Sequence, residues 1–308
     1  MNLNARHCPI CCSTEYKVLF TAQSRGDEFE PPIVSNYVRC KECELIYLTP
    51  VPRSQDLAVA YDYLPTRIRH ASPMNRILAL VEPFLSPLLD RVEYLHTIPH
   101  KRGEGCKILD IGCGSGDKLV AFQARGWEVY GLDISSTHIE TAKRLLPKGT
   151  FFCSELGSAD LPSDYFDSVR IDNVLEHLFD PIEVLMVIHR ILKPGGKLLI
   201  YVPRGNSFTM KYRPTCSVNS WVPFHLSLFT EDTIRMALKK VGFSRVEINT
   251  CTPIPWLFGF LQLSLRNSSL AAGMSAVKKI AVTPILAPVS WILSAAKQGE
   301  ELVVCAEK

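Results

Sequence analysis

The opening residues, "MNLNARHCPI", contain no continuous apolar run, and no stretch elsewhere reaches the roughly twenty uninterrupted apolar residues of a membrane-crossing helix. An unexported, cytoplasmic protein is therefore expected. In that setting the eleven cysteines read as metal thiolates or reduced core residues, not as a disulfide framework. Charge of one sign is scarce too: a net +3 over 308 residues gives no footing by itself for nucleic acid. Internal repeats and low-complexity tracts are absent. What is present is an ordinary globular composition, 47% apolar and 21% charged, enough for a large domain carrying a small one.

Three regions follow one another. Residues 1–56 hold two cysteine pairs, "CPICC" at 8–12 and "CKEC" at 40–43, among the strand-like runs "YKVLF", "NYVRC" and "LIYL". Residues 57–106 are expected to form a helical linker or cap, broken by prolines at 65, 73, 83 and 87. In residues 107–308 apolar strands ("KILDI", "EVYGLD", "TFFC", "FDSVRI", "KLLIYV") alternate with amphipathic helices at 117–125, 136–146 and 181–192. That alternation predicts a parallel sheet covered by helices on both faces. "TEDTIRMALKKVG" reads as a further helix, started by Thr230 and ended by Gly242, with "SRVEINT" and "ELVVCAE" as two more strands.

The main chemical signal is "ILDIGCGSGDKL" at 108–119. A strand runs into Asp110, glycines alternate at 112, 114 and 116, and a helix follows. Such glycines permit a tight turn and a close approach of backbone to ligand. A nicotinamide-binding loop has the spacing GxGxxG, whereas this loop reads DxGxGxG. Asp133 ends the next strand about twenty residues on, where an acid accepts hydrogen bonds from ribose hydroxyls.

These residues, together with "GLDIS", "ADLPSDYFDSV", "NVLEHLFDP" and "LKPGGKLLIYVP", resemble the class I S-adenosylmethionine-dependent methyltransferases over 107–250 and the final strand. The resemblance implies an α/β, Rossmann-like, doubly wound sheet of seven strands with the last, "ELVVCAE", antiparallel. It implies S-adenosylmethionine as cofactor, with Asp110, Gly112, Cys113, Gly114 and Gly116 around the methionine end. Asp133 would hold the ribose, Ile134 would pack on the adenine, Glu155 and Leu156 would close over it, and Asn173 would sit by the methionine portion. Cys113 inside the loop is read as a packed small residue, not as a nucleophile.

Methyl transfer needs alignment of the acceptor and, for a hydroxyl or acidic carbon, a base. His177 follows the fourth strand at the carboxyl edge, where ligands bind in such sheets, and His225 precedes the helix near 230. Both are catalytic candidates, and each has a purely structural alternative. "DNVLEH" is also similar to the acid-rich segment of ubiquinone-type O-methyltransferases, but the earlier acid position is Asn173 here, a departure from their divalent-ion pattern.

Cys8-x2-Cys11 and Cys40-x2-Cys43 have the spacing of two knuckles closing one four-thiolate zinc site, which is structural because it leaves no open position. The pattern resembles the N-terminal zinc-ribbon region of methyltransferases from sugar, polysaccharide and natural-product pathways. Cys12 stands where that pattern often has glycine and is read as unliganded. Residues 1–56 carry six Lys/Arg against seven Asp/Glu with no basic run, so a small-molecule acceptor, lipid- or nucleotide-linked in one version, is favoured over RNA. The uncharged runs in 251–299 are read as a helical lid over the acceptor site. The sharper alternative is a peripheral membrane surface anchored by Trp256, Phe258, Phe260 and Trp291. Against an enzyme stands a non-catalytic protein that keeps the cofactor fold; nothing in the glycine loop is degraded in that direction.

Overall fold

The computed structural model describes residues 3–24, 29, 31–53, 57, 105–264 and 276–308. The helical linker expected over 57–106 lies almost wholly outside the described residues.

Strands β1 (Leu3–Asn4), β2 (Tyr16–Gln23), β3 (Val34–Cys40), β4 (Ile46–Thr49) and β5 (Val51–Pro52) come first. The chain continues with β6 (Lys107–Ile111), α1 (Asp117–Gln123), β7 (Glu128–Asp133), α2 (Ser136–Leu145), β8 (Thr150–Cys153) and β9 (Phe166–Asp172). Next are α3 (Pro181–Ile191), β10 (Leu192–Pro203), α4 (Phe208–Tyr212), β11 (Ser227–Leu228), α5 (Glu231–Val241) and β12 (Ser244–Cys251). Helices α6 (Ile254–Ser264) and α7 (Ala276–Ala295) precede the last strand, β13 (Glu301–Glu307).

Seven strands form one sheet in the order β12-β13-β10-β9-β6-β7-β8. From β8 to β10 they are parallel, as the alternation of strands and helices predicts, and β13 is antiparallel, as the resemblance implies, inserted between β10 and β12. The central strands are buried on both faces, so "ILDI", "SVRI" and "LLIYV" read as near-continuous apolar runs. Each fully buried aliphatic side chain there contributes about 1.5–3 kcal/mol relative to exposure. The turn "KPGGK" does not precede β10 but forms an irregularity inside it, with Gly195 in the left-handed region at φ 76°. Helix α5 starts on a reciprocal Thr230–Thr233 capping box and ends at Gly242, φ 109°.

The N-terminal module is not a separate body. Its sheet has the order β11-β4-β3-β2, so β4 continues into the C-terminal part of the chain through β11, pairing Tyr47 with Ser227 and Ile46 with Leu228. Cys8, Ile10, Val38, Cys40, Cys43, Leu45 and Tyr47 share one core cluster with β6, β9 and β10. The Arg6 guanidinium donates to the carbonyls of Leu226 (2.8 Å), Leu178 (3.2 Å) and Phe179 (2.7 Å).

Helices α6 and α7 pack on each other, α7 also on β12, and α6 on the turn at 214–216. The pair therefore backs the loop that carries Trp221 and His225. Phe258 is buried, with Leu257 and Leu286 beside it, and so cannot anchor anything outside the protein. Trp256 and Phe260 are half-buried, and only Trp291 of the four expected anchors is exposed. No helix among the described residues is long and apolar enough to cross a membrane.

Candidate functional site

The glycine loop connects β6 to α1, and all three glycines are left-handed: Gly112 at φ 72°, Gly114 at 53°, Gly116 at 80°. Gly112 and Cys113 donate to the Leu132 carbonyl at 2.7 and 3.1 Å, which pins the loop to the end of β7. A side chain at Gly112 would meet Val174 Cγ2 at 2.3 Å, whereas one at Gly114 would enter open space. The loop is thus pressed on one side against the segment after β9 and open on the other. Cys113 is buried, and its Sγ lies where a side chain at Gly131 would need to be, so it packs as the sequence predicts.

Asp133 ends β7, with one carboxylate oxygen accepting from Gly114 N and the other from Ser135 N, both at 2.9 Å. Next to it Ile134 is 62% exposed, a large apolar surface offered at the sheet edge. "SELGSAD" forms a turn at 156–158; Glu155 is exposed and Leu156 is buried in the main core.

Asp110 lies inside the sheet, not on the loop's open side. It is 1% exposed, and Arg170 Nη1 donates to both its oxygens, at 2.9 and 3.0 Å. The same guanidinium reaches Asp172. Asn173 is left-handed at φ 53° and donates from Nδ2 to Asp172 (2.7 Å) and Glu301 (2.9 Å). Arg170 and Glu301 are not among the site residues expected from sequence. A cation inside an apolar central strand was the available signal for Arg170, while Glu301 had none, because the chain returns to this place only through the last strand.

His177 and His225, forty-eight positions apart, meet with ring centroids 5.0 Å from each other. His177 Nδ1 is 2.9 Å from the Phe224 carbonyl and His225 Nδ1 is 2.7 Å from the Asn219 carbonyl. A carbonyl can only accept, so each Nδ1 is the donor in its contact. Glu176 lies between them, its Oε1 3.7 Å from His177 Nε2 and 3.9 Å from His225 Nε2. Backbone pairing sets this alignment: Leu226 N donates to the Glu176 carbonyl at 2.8 Å, and Tyr37 of the N-terminal module donates to the His225 carbonyl at 3.0 Å. Trp221 stands edge-on to both imidazoles, at 6.2 and 5.5 Å.

Burial pushes His177 down to about 4, against the pull of the Phe224 and Asn173 carbonyls. It pushes Glu176 well above the usual carboxylate range, helped by the charges of Asp172 and Glu301. Both shifts, with burial as the main cause, work against an ion pair between Glu176 and His177.

In the N-terminal module, the Cys8, Cys11, Cys40 and Cys43 sulfurs all lie within 4.8 Å of one another. Cys8–Cys43 is 3.3 Å and Cys11–Cys40 3.4 Å, close to the ~3.8 Å edge of a tetrahedron with metal–sulfur bonds of about 2.3 Å. Both knuckles turn alike: the residue after each second cysteine is left-handed, Cys12 at φ 62° and Glu44 at 65°. The exposed Cys12 is outside the sulfur cluster, and its φ explains a position that suits glycine. A separate cleft between β2, Arg213, Cys216 and Leu263 shares no residue with the glycine-loop site.

A family model described as a methyltransferase domain matches residues 77–248. A ubiquinone biosynthesis O-methyltransferase from Pseudomonas aeruginosa (strain LESB58) is 34% identical over 102 residues, 31% of this chain and 44% of that protein. An uncharacterized 37.1 kDa protein in transposon TN4556 of Streptomyces fradiae is 27% identical over 201 residues, 61% of this chain and 57% of that protein. The chain thus spans about half the length of these curated relatives. Among solved structures, Haemonchus contortus phosphoethanolamine N-methyltransferase 2 with S-adenosyl-L-methionine aligns with a TM-score of 0.51 at 19% identity, over 95% of this chain and 68% of that one; this is a likeness of fold.

Proposed function

The chain belongs to the methyltransferase domain family, whose model covers more than half of it, and from that premise we propose that it transfers the methyl group of S-adenosylmethionine to a small-molecule acceptor. One observation carries the reading. The glycine loop, tied to Asp133 beside exposed Ile134, lies at Gly112 against Val174, two residues before Glu176 of the Glu176–His177–His225 cluster. The cofactor supplies an activated methyl group, so the protein's task is alignment and exclusion of water. Asp133 accepts from the ribose hydroxyls, Ile134 covers an adenine face, and Gly114 leaves room for close approach. Asp172 and Glu301 make the methionine end electronegative, which suits a sulfonium. The acceptor's proton is removed at the two imidazoles, beside which Trp221 stands edge-on.

For the acceptor we favour a saccharide or its carrier-linked form over RNA. The N-terminal module is balanced in charge, and Arg6, one of its six cations, is engaged by three backbone carbonyls. The four cysteines would hold one structural zinc. A lipid-linked acceptor draws support from the outward face of α7, where Ile285, Val289, Trp291 and Ile292 are exposed together. A ubiquinone-type reaction is the second reading, suggested by the relative from Pseudomonas aeruginosa; Asn173 in place of an acid speaks against it. Isothermal calorimetry tests the main reading: S-adenosylmethionine or S-adenosylhomocysteine should bind and NADH should not. Binding of NADH alone would overturn it.

A further inference from the structure

Three segments far apart in sequence form a cleft of about 440 Å3, a volume in the range of small-molecule sites. Strand β2 and the residue after it supply Thr21, Gln23 and Ser24, the segment after α4 supplies Arg213 and Thr215, and the end of α6 supplies Ser264. The turn at 214–216 packs on both β2 and α6, which fixes the walls against each other. Arg213 is held through its backbone: its N–H donates to the Thr209 carbonyl at 2.9 Å, and its carbonyl accepts from Cys216 N (2.9 Å) and Ser217 N (3.1 Å). Hydroxyl and amide groups dominate the lining, and among the described residues no acid and no aromatic ring belongs to it. Without rings there is no platform on which a nucleobase could stack, which argues against a nucleotide or nucleic acid. Short neutral groups that both donate and accept match the hydroxyls of a saccharide, which do the same. Ala22, Val34 and Leu263 add a little apolar surface for its C–H face.

Several of these groups are already oriented. Thr21 Oγ1 donates to Asn36 Oδ1 at 2.7 Å, which leaves it able to accept, and Ser24 Oγ accepts from Ile33 N at 3.0 Å, which leaves it able to donate. Two others are unspent. Ser264 Oγ is buried and has no hydrogen-bond partner among the described residues, a cost that a ligand would relieve. Arg213 is exposed, and its guanidinium has neither ion pair nor hydrogen bond among the described residues. A guanidinium is a planar fork that fits the paired oxygens of a phosphate or carboxylate. We infer that this cleft binds a small saccharide carrying one anionic group, a phosphate or a carboxylate, with Arg213 as the partner of the anion. This goes beyond methyl transfer, since the cleft shares no residue with the glycine-loop site and would stand if the cofactor reading failed. Its wall does continue into the histidine loop: Ser220 lines it, and the carbonyl of the next residue, Trp221, accepts from His225 N at 2.8 Å. A ligand in the cleft therefore steadies the segment that carries His225.

The test is isothermal calorimetry of the full chain with glucose 1-phosphate, glucuronate, glucose and inorganic phosphate. At least one of the two anionic sugars should bind more tightly than glucose or phosphate alone, and the tighter of the two identifies the anionic group. Arg213→Gln should weaken that binding by roughly 10- to 100-fold, the loss expected for a charge-assisted contact, while Asp133→Ala leaves it unchanged. Hydrogen exchange across 213–225 should slow when the sugar is added. Circular dichroism checks folding; if Arg213→Gln unfolds, Gln23→Ala and Thr215→Val make the comparison. Three results overturn the inference: none of the four probes binds, the variants in the cleft leave binding unchanged, or inorganic phosphate binds as tightly as the anionic sugars, which reduces the cleft to an adventitious ion only. Calorimetry with S-adenosylhomocysteine on the same samples separates the two claims. Cofactor binding without sugar binding sinks this inference alone, and sugar binding without cofactor binding sinks methyl transfer alone.

Discussion

Arg170 and Asp110 face each other across adjacent strands, paired in register in β9 and β6, with Nη1 of the guanidinium at 2.9 and 3.0 Å from both carboxylate oxygens. Both side chains are buried, and Arg170 also holds Asp172 at the carboxyl end of β9. The pair locks the strand that enters the glycine loop to the strand that leads to Glu176 and His177. Arg170→Met leaves Asp110 as an uncompensated buried acid and should cost about 3–5 kcal/mol in urea unfolding. Asp110→Asn/Arg170→Met together should recover part of that loss. A single variant as stable as wild type would show that the pair does not hold the strands.

The glycines of the loop should separate into two effects. Gly112→Ala combines a left-handed backbone with a 2.3 Å approach to Val174 Cγ2, and should lose about 2–3 kcal/mol of stability. Gly114→Ala meets nothing within 4 Å, so it should cost only the ~1 kcal/mol of left-handed strain yet weaken cofactor binding most, because the new methyl group occupies the open side. Denaturation and calorimetry on both variants would show whether stability and binding divide this way.

Asp133→Ala should weaken S-adenosylmethionine binding by about 1–3 kcal/mol through loss of charge-assisted hydrogen bonds to ribose. The carboxylate also accepts from Gly114 and Ser135, so faster amide hydrogen exchange at 113–116 should accompany the loss. An unchanged dissociation constant would remove Asp133 from the cofactor site.

Elemental analysis should find about one zinc per chain in the cysteine cluster, and Cys40→Ser should release it. Because β4 pairs with β11 and Tyr37 bonds to the His225 carbonyl, the release should also raise hydrogen exchange across 222–228. Loosening confined to residues 1–56 would mean that the module does not support the histidine loop.

The outward face of α7 makes a prediction about lipid. Ile285 and Trp291 are 69% and 56% exposed, and Val289 and Ile292 complete the same apolar surface. Wild type should co-sediment with anionic vesicles, and Ile285→Glu/Ile292→Glu should stay in the supernatant. If neither protein pellets, α7 serves only to brace β12 and α6.

Local order was legible in the sequence wherever one periodicity dominated. Alternating strands and helices after Lys107, the spaced glycines of the loop, Asp133 twenty residues on and the two CxxC turns are short-range patterns, and each formed where its residues dictate. Even the left-handed Cys12 could be anticipated, since a knuckle turn needs that conformation after its second cysteine. Tertiary structure decided what stands opposite what. Asp110, next to the loop in sequence, turned out to be buried against Arg170, because a strand's side chains alternate and only the neighbouring strand says which partner waits on each face. Phe258 was buried instead of anchoring, because the face an apolar helix covers depends on its neighbour, here α7. Above all, His177 and His225 came to share Glu176 only because β11 carries the N-terminal sheet into the C-terminal part of the chain and Leu226 bonds to the Glu176 backbone. Contacts between residues that far apart depend on strand pairing and shared core burial, to which no local spacing in the chain corresponds.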